Sequence, residues 1–382
     1  MTRNRTPMKP SQPGKLGVHV AVVGGGVMGA FTAANLLMSG ANVTLYDPHA
    51  MGTGPGASVD TGRSFRVHYG QDQQLISMAV HSRRLWSEWS VRLGRPLLHP
   101  TGKLLVEHSA DRHAFESWQT MRNLGLHAER LGKGRIAEEW PGFVAPNATV
   151  DRMGGVLDPE VILKGMSSWL GQAGLERRKE ALDIKAKSVR CSLGWKDFDS
   201  VVVTTGAWTQ RWVQVPMEVT RQQLVYFDAT ALGDRLMNLP VFSDLQSGFY
   251  AIPTVKDGRI KVANHHPGPA GHPDGDSRKV TPEFRTAARA FLAQHLPELA
   301  NAEEAWEYVC FYSGTADRDF ILDRTTDGLV VGAGFSGHGF KFGPLIGRLL
   351  AQMALNQTLD VDVARFSMHR NALQEESTRL AV

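Results

Sequence analysis

Residues 18–23, Val-His-Val-Ala-Val-Val, are apolar at nearly every position and rich in β-branched side chains. That pattern predicts a strand buried on both faces of a parallel sheet. A glycine-rich turn, Gly24–Gly29, leads into Ala30–Ser39, patterned as an amphipathic helix and stopped by Gly40; Asn42–Tyr46 repeats the strand pattern and ends in Asp47. Helical spacing recurs over 72–93, where Leu75, Ile76, Met78, Ala79, Leu85, Trp86 and Trp89 share a face, and again over 159–173. Strands are predicted at 102–107, 153–157 and 198–203. The stretches 222–228, 248–253 and 258–263 read as an antiparallel sheet, and Pro267–Asp276 as a surface loop before a helix at 281–295. Near the C-terminus, Leu329–Ala333 is a short buried strand running into a second glycine-rich turn, Gly334–Lys341, and an apolar helix to about Leu355. Two strand-to-helix glycine turns at opposite ends of the chain predict one discontinuous nucleotide-binding unit.

Composition narrows the class. A chain of 382 residues suggests two domains or one large one, and 42% hydrophobic residues exclude wholesale disorder. The net charge of +4, from 42 Lys and Arg against 38 Asp and Glu, is modest, and much of the excess sits at Arg3, Arg5, Lys9 and Lys15. No basic tract follows, so neither nucleic acid nor a membrane surface is implied as a partner. Two cysteines, Cys191 and Cys310, cannot make a disulfide framework, which suggests a reducing, cytoplasmic setting. No apolar run of spanning length and no signal peptide is read. No set of metal ligands stands out.

The first turn carries chemistry. Gly24, Gly26 and Gly29 stand in G-x-G-x-x-G spacing, with an acid, Asp47, at the end of the second strand. Gly24 permits the tight turn, Gly26 lets backbone approach a pyrophosphate, and Gly29 allows close helix–strand packing. The helix start, Val27 and Met28, offers free N–H groups and the positive end of the helix dipole to an anion. Asp47 would accept from ribose hydroxyls. The motif predicts a bound dinucleotide without choosing between NAD and FAD.

Further motifs then fall in order: Arg63-Ser64-Phe65-Arg66, Pro100-Thr101-Gly102, Thr205-Gly206-Ala207-Trp208, Arg221-Gln222, Cys310-Phe311-Tyr312, Asp319–Asp323 and Gly334–Lys341. With them, the chain from about Val18 to Phe366 resembles the flavin amine oxidases of the monomeric sarcosine oxidase and N-methyltryptophan oxidase type. The resemblance implies an α/β fold: a discontinuous Rossmann-like FAD-binding domain (17–95, 148–217, 318–382) and a substrate domain on an antiparallel or mixed sheet (96–147, 218–317). Residues 1–16 would be a disordered basic arm.

It also implies roles. FAD would be held at the first turn and by Arg63, Ser64, Gly206, Trp208, Gly337, His338, Gly339, Phe340 and Lys341, and linked covalently through Cys310. Arg66 and Lys341 would grip a substrate carboxylate, a fork and a point charge respectively. Lys261 would promote reaction with O2, while His265, Tyr312, Phe249 and Tyr250 would line the pocket. The implied reaction is oxidation of a secondary or cyclic α-amino acid to an imine, with H2O2 formed from O2. Dehydrogenase chemistry with a quinone or protein acceptor, and Amadori-type amines, stay open. A monomer or small homo-oligomer is expected. Departures at Val59 (His in sarcosine oxidases), Gly62 (Thr), Gln71 (Glu) and Phe249 (Tyr) point away from sarcosine itself as substrate.

Overall fold

The strand at His19–Val23 lies at the middle of a six-stranded sheet, parallel to Asn42–Tyr46 on one side and Ser200–Val203 on the other. The computed structural model describes residues 15–108, 112–254 and 256–373; the arm expected over residues 1–16 therefore falls almost wholly outside the described residues. From edge to edge the sheet runs Ile321–Arg324, Val330–Ala333, Ser200–Val203, His19–Val23, Asn42–Tyr46, Glu176–Arg178. Only the pair Ile321–Arg324 and Val330–Ala333 is antiparallel. The C-terminal strand thus returns beside the middle of the chain, so this sheet is built from distant parts of the sequence.

Helices Val27–Met38, Gln73–Arg92 and Gly343–Ala354 cover one face of this sheet through a shared core. Phe31 meets Trp86 and Trp89 edge to face, with ring centroids 5.2 and 5.3 Å apart. Each such buried aromatic contributes roughly 1.5–3 kcal/mol by leaving water. Asp72 caps the long helix by accepting from Leu75 N at 2.9 Å.

An eight-stranded mixed sheet forms the second unit, in the order Glu304–Gly314, Glu218–Asp228, Arg259–Asn264, Phe249–Pro253, Val241–Asp244, Lys103–Glu107, Asn147–Asp151, Ala128–Gly132. All neighbours are antiparallel except Val241–Asp244 with Lys103–Glu107. Strand alternation splits its residues between two faces. Leu104, Val106, Val225, Phe227, Ala251, Ile260, Val262 and Val309 enter one hydrophobic core with helix Pro282–His295. Alternate positions, among them Lys103, Leu105, Leu224, Tyr250, Ile252, Lys261 and Cys310, line a cavity. Asn147–Asp151 belongs to this larger sheet, although the sequence reading put residues from 148 in the FAD-binding domain. The helices Arg112–Asn123 and Lys133–Glu139 and the outlying hairpins at Asp183–Asp197 were not read from sequence; the first is amphipathic but mostly polar, burying only Ala114, Ser117 and Met121. Among the described residues no helix is long and apolar enough to cross a membrane.

Candidate active site

A cavity of about 870 Å³ lies between the two large sheets. At one end its wall is backbone. Gly24 sits at φ +104°, a region side-chain-bearing residues avoid, and its N–H donates to Tyr46 O at 2.9 Å. A Cβ on Gly29 would stand 1.8 Å from the Gly24 carbonyl oxygen, so only glycine lets the helix start pack against the turn. Gly29 accordingly does not line the cavity, whereas Gly24, Gly26, Val27 and Met28 do. Gly26 caps the helix with no side-chain bond of its own, and Val27 N donates to Ser58 Oγ at 3.1 Å. Asp47 also lines this end; it accepts from Gly25 N at 2.6 Å and His49 N at 2.8 Å, so the acid braces the turn it follows. Gly206 and Trp208 border the same region, the indole donating to Asp274 at 2.7 Å.

Midway, the loop 57–63 builds an ionic hub that the sequence reading missed. Asp60, fully buried and held at φ +92°, pairs with both Arg63 and Lys261, the latter at 3.1 Å. Lys261 also donates to Gly62 O at 2.8 Å. Arg63 spends its fork on Asp60 and the carbonyls of Ala57, Val59 and Gly62, and lies 5.7 Å above the Phe340 ring. Burial lowers the Lys261 ammonium to about 8, with Arg63 adding repulsion and Asp60 opposing both. Cys310, on the strand Glu304–Gly314, faces this hub. Burial pushes its thiol up to about 11, while Arg63 and Lys261 pull the other way. Ser64 Oγ is buried on the cavity wall with no hydrogen-bond partner among the described residues.

The far end is cationic and aromatic. Arg66 lies 4.0 Å and Lys341 5.5 Å from the Tyr69 ring centroid. One Arg66 donor reaches His68 O, and the rest of the guanidinium has no partner among the described residues. Lys341 Nζ donates to Tyr69 OH at 2.9 Å and His338 O at 2.6 Å. Lys341 closes the second glycine-rich turn in a 3₁₀ segment, Phe340–Phe342, just ahead of the helix Gly343–Ala354, and this turn's backbone is pinned where Lys341 O accepts from Ser82 Oγ and Trp86 Nε1. Burial, then repulsion from Arg66 and Lys103, holds its pKa well below the usual lysine range.

Tyr250, Tyr312, His265, Gly337, His338, Gly339 and Phe340 complete the wall. Burial raises Tyr250 to about 12 and Tyr312 further; the two phenols interact. His265 falls to about 3 through burial and the surrounding cations, so it is neutral at ordinary pH.

Phe249 is the one substrate-pocket assignment that the geometry overturns. Its neighbour Tyr250 faces the cavity, so strand alternation turns Phe249 to the opposite face, where it packs on Phe284 and Phe291. Lys103, in contrast, was missed. It begins a strand whose odd positions, Lys103 and Leu105, face the cavity while Leu104 and Val106 enter the core. A lysine heading an apolar strand is the only trace it leaves in the sequence. Among the described residues no group of three His, Cys, Asp or Glu could hold a metal ion.

Comparison with known proteins agrees with this arrangement. The family described as DAO, FAD dependent oxidoreductase, matches residues 19–353. The chain is 30% identical to monomeric sarcosine oxidase of Bacillus sp. (strain B-0618), over 95% of this chain and 98% of that protein. It is 23% identical to N-methyl-L-tryptophan oxidase of Yersinia pestis (strain Pestoides F), over 91% and 98%. Among solved structures, L-proline dehydrogenase from P. horikoshii shares the fold with a TM-score of 0.82 at 20% identity, over 96% of this chain and 99% of that one.

Proposed function

Since the chain belongs to the DAO family of FAD dependent oxidoreductases, we propose that it oxidises a secondary or cyclic α-amino acid to an imine and passes the electrons to O2, giving H2O2. The broader statement, an FAD-dependent amine or amino-acid oxidoreductase, follows from the family match and the sarcosine oxidase relatives. The observation that carries the finer one is the pair Arg66 and Lys341 flanking Tyr69 in the same cavity as the glycine turn.

FAD fits this wall on three features: a glycine turn, Gly24–Gly26, whose main chain lines the cavity, a helix start whose N-cap Gly26 offers no side-chain bond of its own, and the orphaned hydroxyl of Ser64. Gly24, Gly26, Val27, Met28 and Asp47 would hold the pyrophosphate and adenosine; Arg63, Ser64, Gly206, Trp208 and the turn Gly337–Lys341 would hold the remainder. When bound, the flavin supplies a two-electron acceptor for hydride from the carbon beside nitrogen. Cys310 is our assignment for a thioether tether. Its support is a buried thiol on the cavity face, with Arg63 and Lys261 favouring the thiolate that such a bond requires.

The chain's own residues do the positioning. Arg66 and Lys341 would bind the carboxylate, fixing which C–H points toward the cofactor. The cationic field favours loss of the ammonium proton, so that nitrogen holds the free pair it needs. Lys261 would place a cation near the oxygen-reactive face. The Asp60–Lys261 pair also favours a second reading, since a carboxylate 3.1 Å away offsets that cation. In it, electrons leave for a quinone or protein carrier.

Acid precipitation tests the tether: yellow pellet is the expected result, and flavin left in the supernatant refutes it. Oxygen uptake with peroxide formation on N-methyl and cyclic amino acids supports the oxidase; dye reduction without oxygen uptake selects the carrier reading instead.

A further inference from the structure

The cationic end of the cavity holds more positive groups than a single carboxylate needs: besides Arg66 and Lys341 it has Arg318, whose guanidinium donates to His265 O at 3.4 Å, and Lys103. Lys103 is only 3% exposed, faces the cavity, and makes no hydrogen bond or ion pair among the described residues. A bare ammonium in such a place is strongly disfavoured unless an anion joins it. Asp151 stands opposite Lys103 in the ladder and favours its charge through space, but its oxygens accept from Val67 N at 2.6 Å and Met153 N at 2.9 Å and make no direct bond to the ammonium. Nearby carboxylates on the cavity wall are also committed. Asp72 and Asp319 share Arg365, and Asp317 pairs with Arg370.

The field at this end is correspondingly one-sided. After burial, Arg66, Arg318, Lys341 and Lys103 are the largest influences on the His265 pKa, and all of them depress it. Arg66 and Lys341 together satisfy one carboxylate, as a fork and a point charge. Lys103 is left over.

Resting on the amine-oxidising reading above, we propose that the substrate is an amino dicarboxylic acid: a secondary or cyclic amine whose first carboxylate binds Arg66 and Lys341 and whose second binds Lys103. Leu105, two residues along the same strand face, bounds the space beside it. The second acid group then brings a directly bonded anion, where Asp151 acts on the ammonium only through space.

The test compares N-methyl-L-aspartate and N-methyl-L-glutamate with N-methyl-L-alanine and sarcosine on the flavin-loaded protein. The diacids are expected to show kcat/KM on the order of 10- to 100-fold higher, the range of a charge-assisted hydrogen bond. Lys103→Met should bring that ratio down to about one, and Lys103→Arg should keep most of it. A second readout needs no turnover: at matched ionic strength, succinate and glutarate should raise the Tm of the wild-type protein more than acetate or propionate, and Lys103→Met should erase the difference. If the monoacids are oxidised and the diacids are neither preferred nor protective, the second-carboxylate site is wrong and the amine-oxidising reading survives. If no amine is oxidised yet the diacids protect through Lys103, the site stands and that reading falls.

Discussion

At the Gly24–Gly29 end, the cavity wall is main chain from a few adjacent residues, and the acid that follows braces the turn itself. At the Arg66–Lys341 end, the wall is side chains from separate strands and turns, and its cations are only partly paired with protein. A dinucleotide presents the same phosphates to every enzyme that binds it, so a stretch of local backbone can serve. A substrate is individual, and on the proposed reading its site is assembled from distant positions whose charge the ligand would complete. Between the two lies the Asp60 hub, where a buried ion pair to Lys261 ties the loop 57–63 to the large sheet and a second, to Arg63, stays within that loop.

The comparison can be broken most severely at Gly29. Gly29→Val drives a side chain into the Gly24 carbonyl, and the expected product is insoluble or colourless, read from the flavin absorbance of whatever purifies. Soluble yellow protein would mean that the turn is not the cradle described. Asp60→Ala should come next. It leaves Arg63 and Lys261 buried without their acid and should cost about 3–5 kcal/mol in chemical denaturation. It should also move the Lys261 titration below about 8, since Asp60 is what raises it.

Acid probes the other end. His68 and His265 both titrate near 3 when folded, against an ordinary value of 6.5, burial being the main cause. Between those values the unfolded chain binds more protons. Stability is therefore intact above about pH 6.5 and falls as pH drops toward 3, by about 1.4 kcal/mol per pH unit for each histidine. A Tm that stays flat from pH 7 to 5 would contradict it.

The smallest effect sharpens the boundary of the site. Phe249→Leu should cost less than about 1.5 kcal/mol of stability and leave substrate KM alone, because its ring packs on Phe284 and Phe291. Tyr250→Phe, one residue on, should change KM with little effect on Tm.

Legibility in the sequence followed the same divide. The first turn, its flanking strands and the helix Gln73–Arg92 could be read because their signals are contiguous or strictly periodic. Phe249 was misplaced because alternation fixes that neighbours face opposite ways, but not which one faces the site; that depends on register with strands far along the chain. Asp60 was missed since one of its two partners, Lys261, is 201 residues away, and nothing in the local sequence marks its other partner, Arg63, as buried beside it. Lys103 looks like the solvated start of a strand until Asn147–Asp151 and Val241–Asp244 close over it on both sides.

The central claim is that unpaired protein cations select an acidic amine for oxidation by the cofactor beside them. Anaerobic mixing of the flavin-loaded protein with N-methyl-L-glutamate, and in parallel with N-methylpropylamine, tests it directly. The account predicts that the flavin absorbance bleaches with the acid and that Arg66→Met slows this by at least about 100-fold, as loss of a bidentate charged contact demands. Equal bleaching by the amine that lacks carboxylates, or an unaffected Arg66→Met variant, would contradict it.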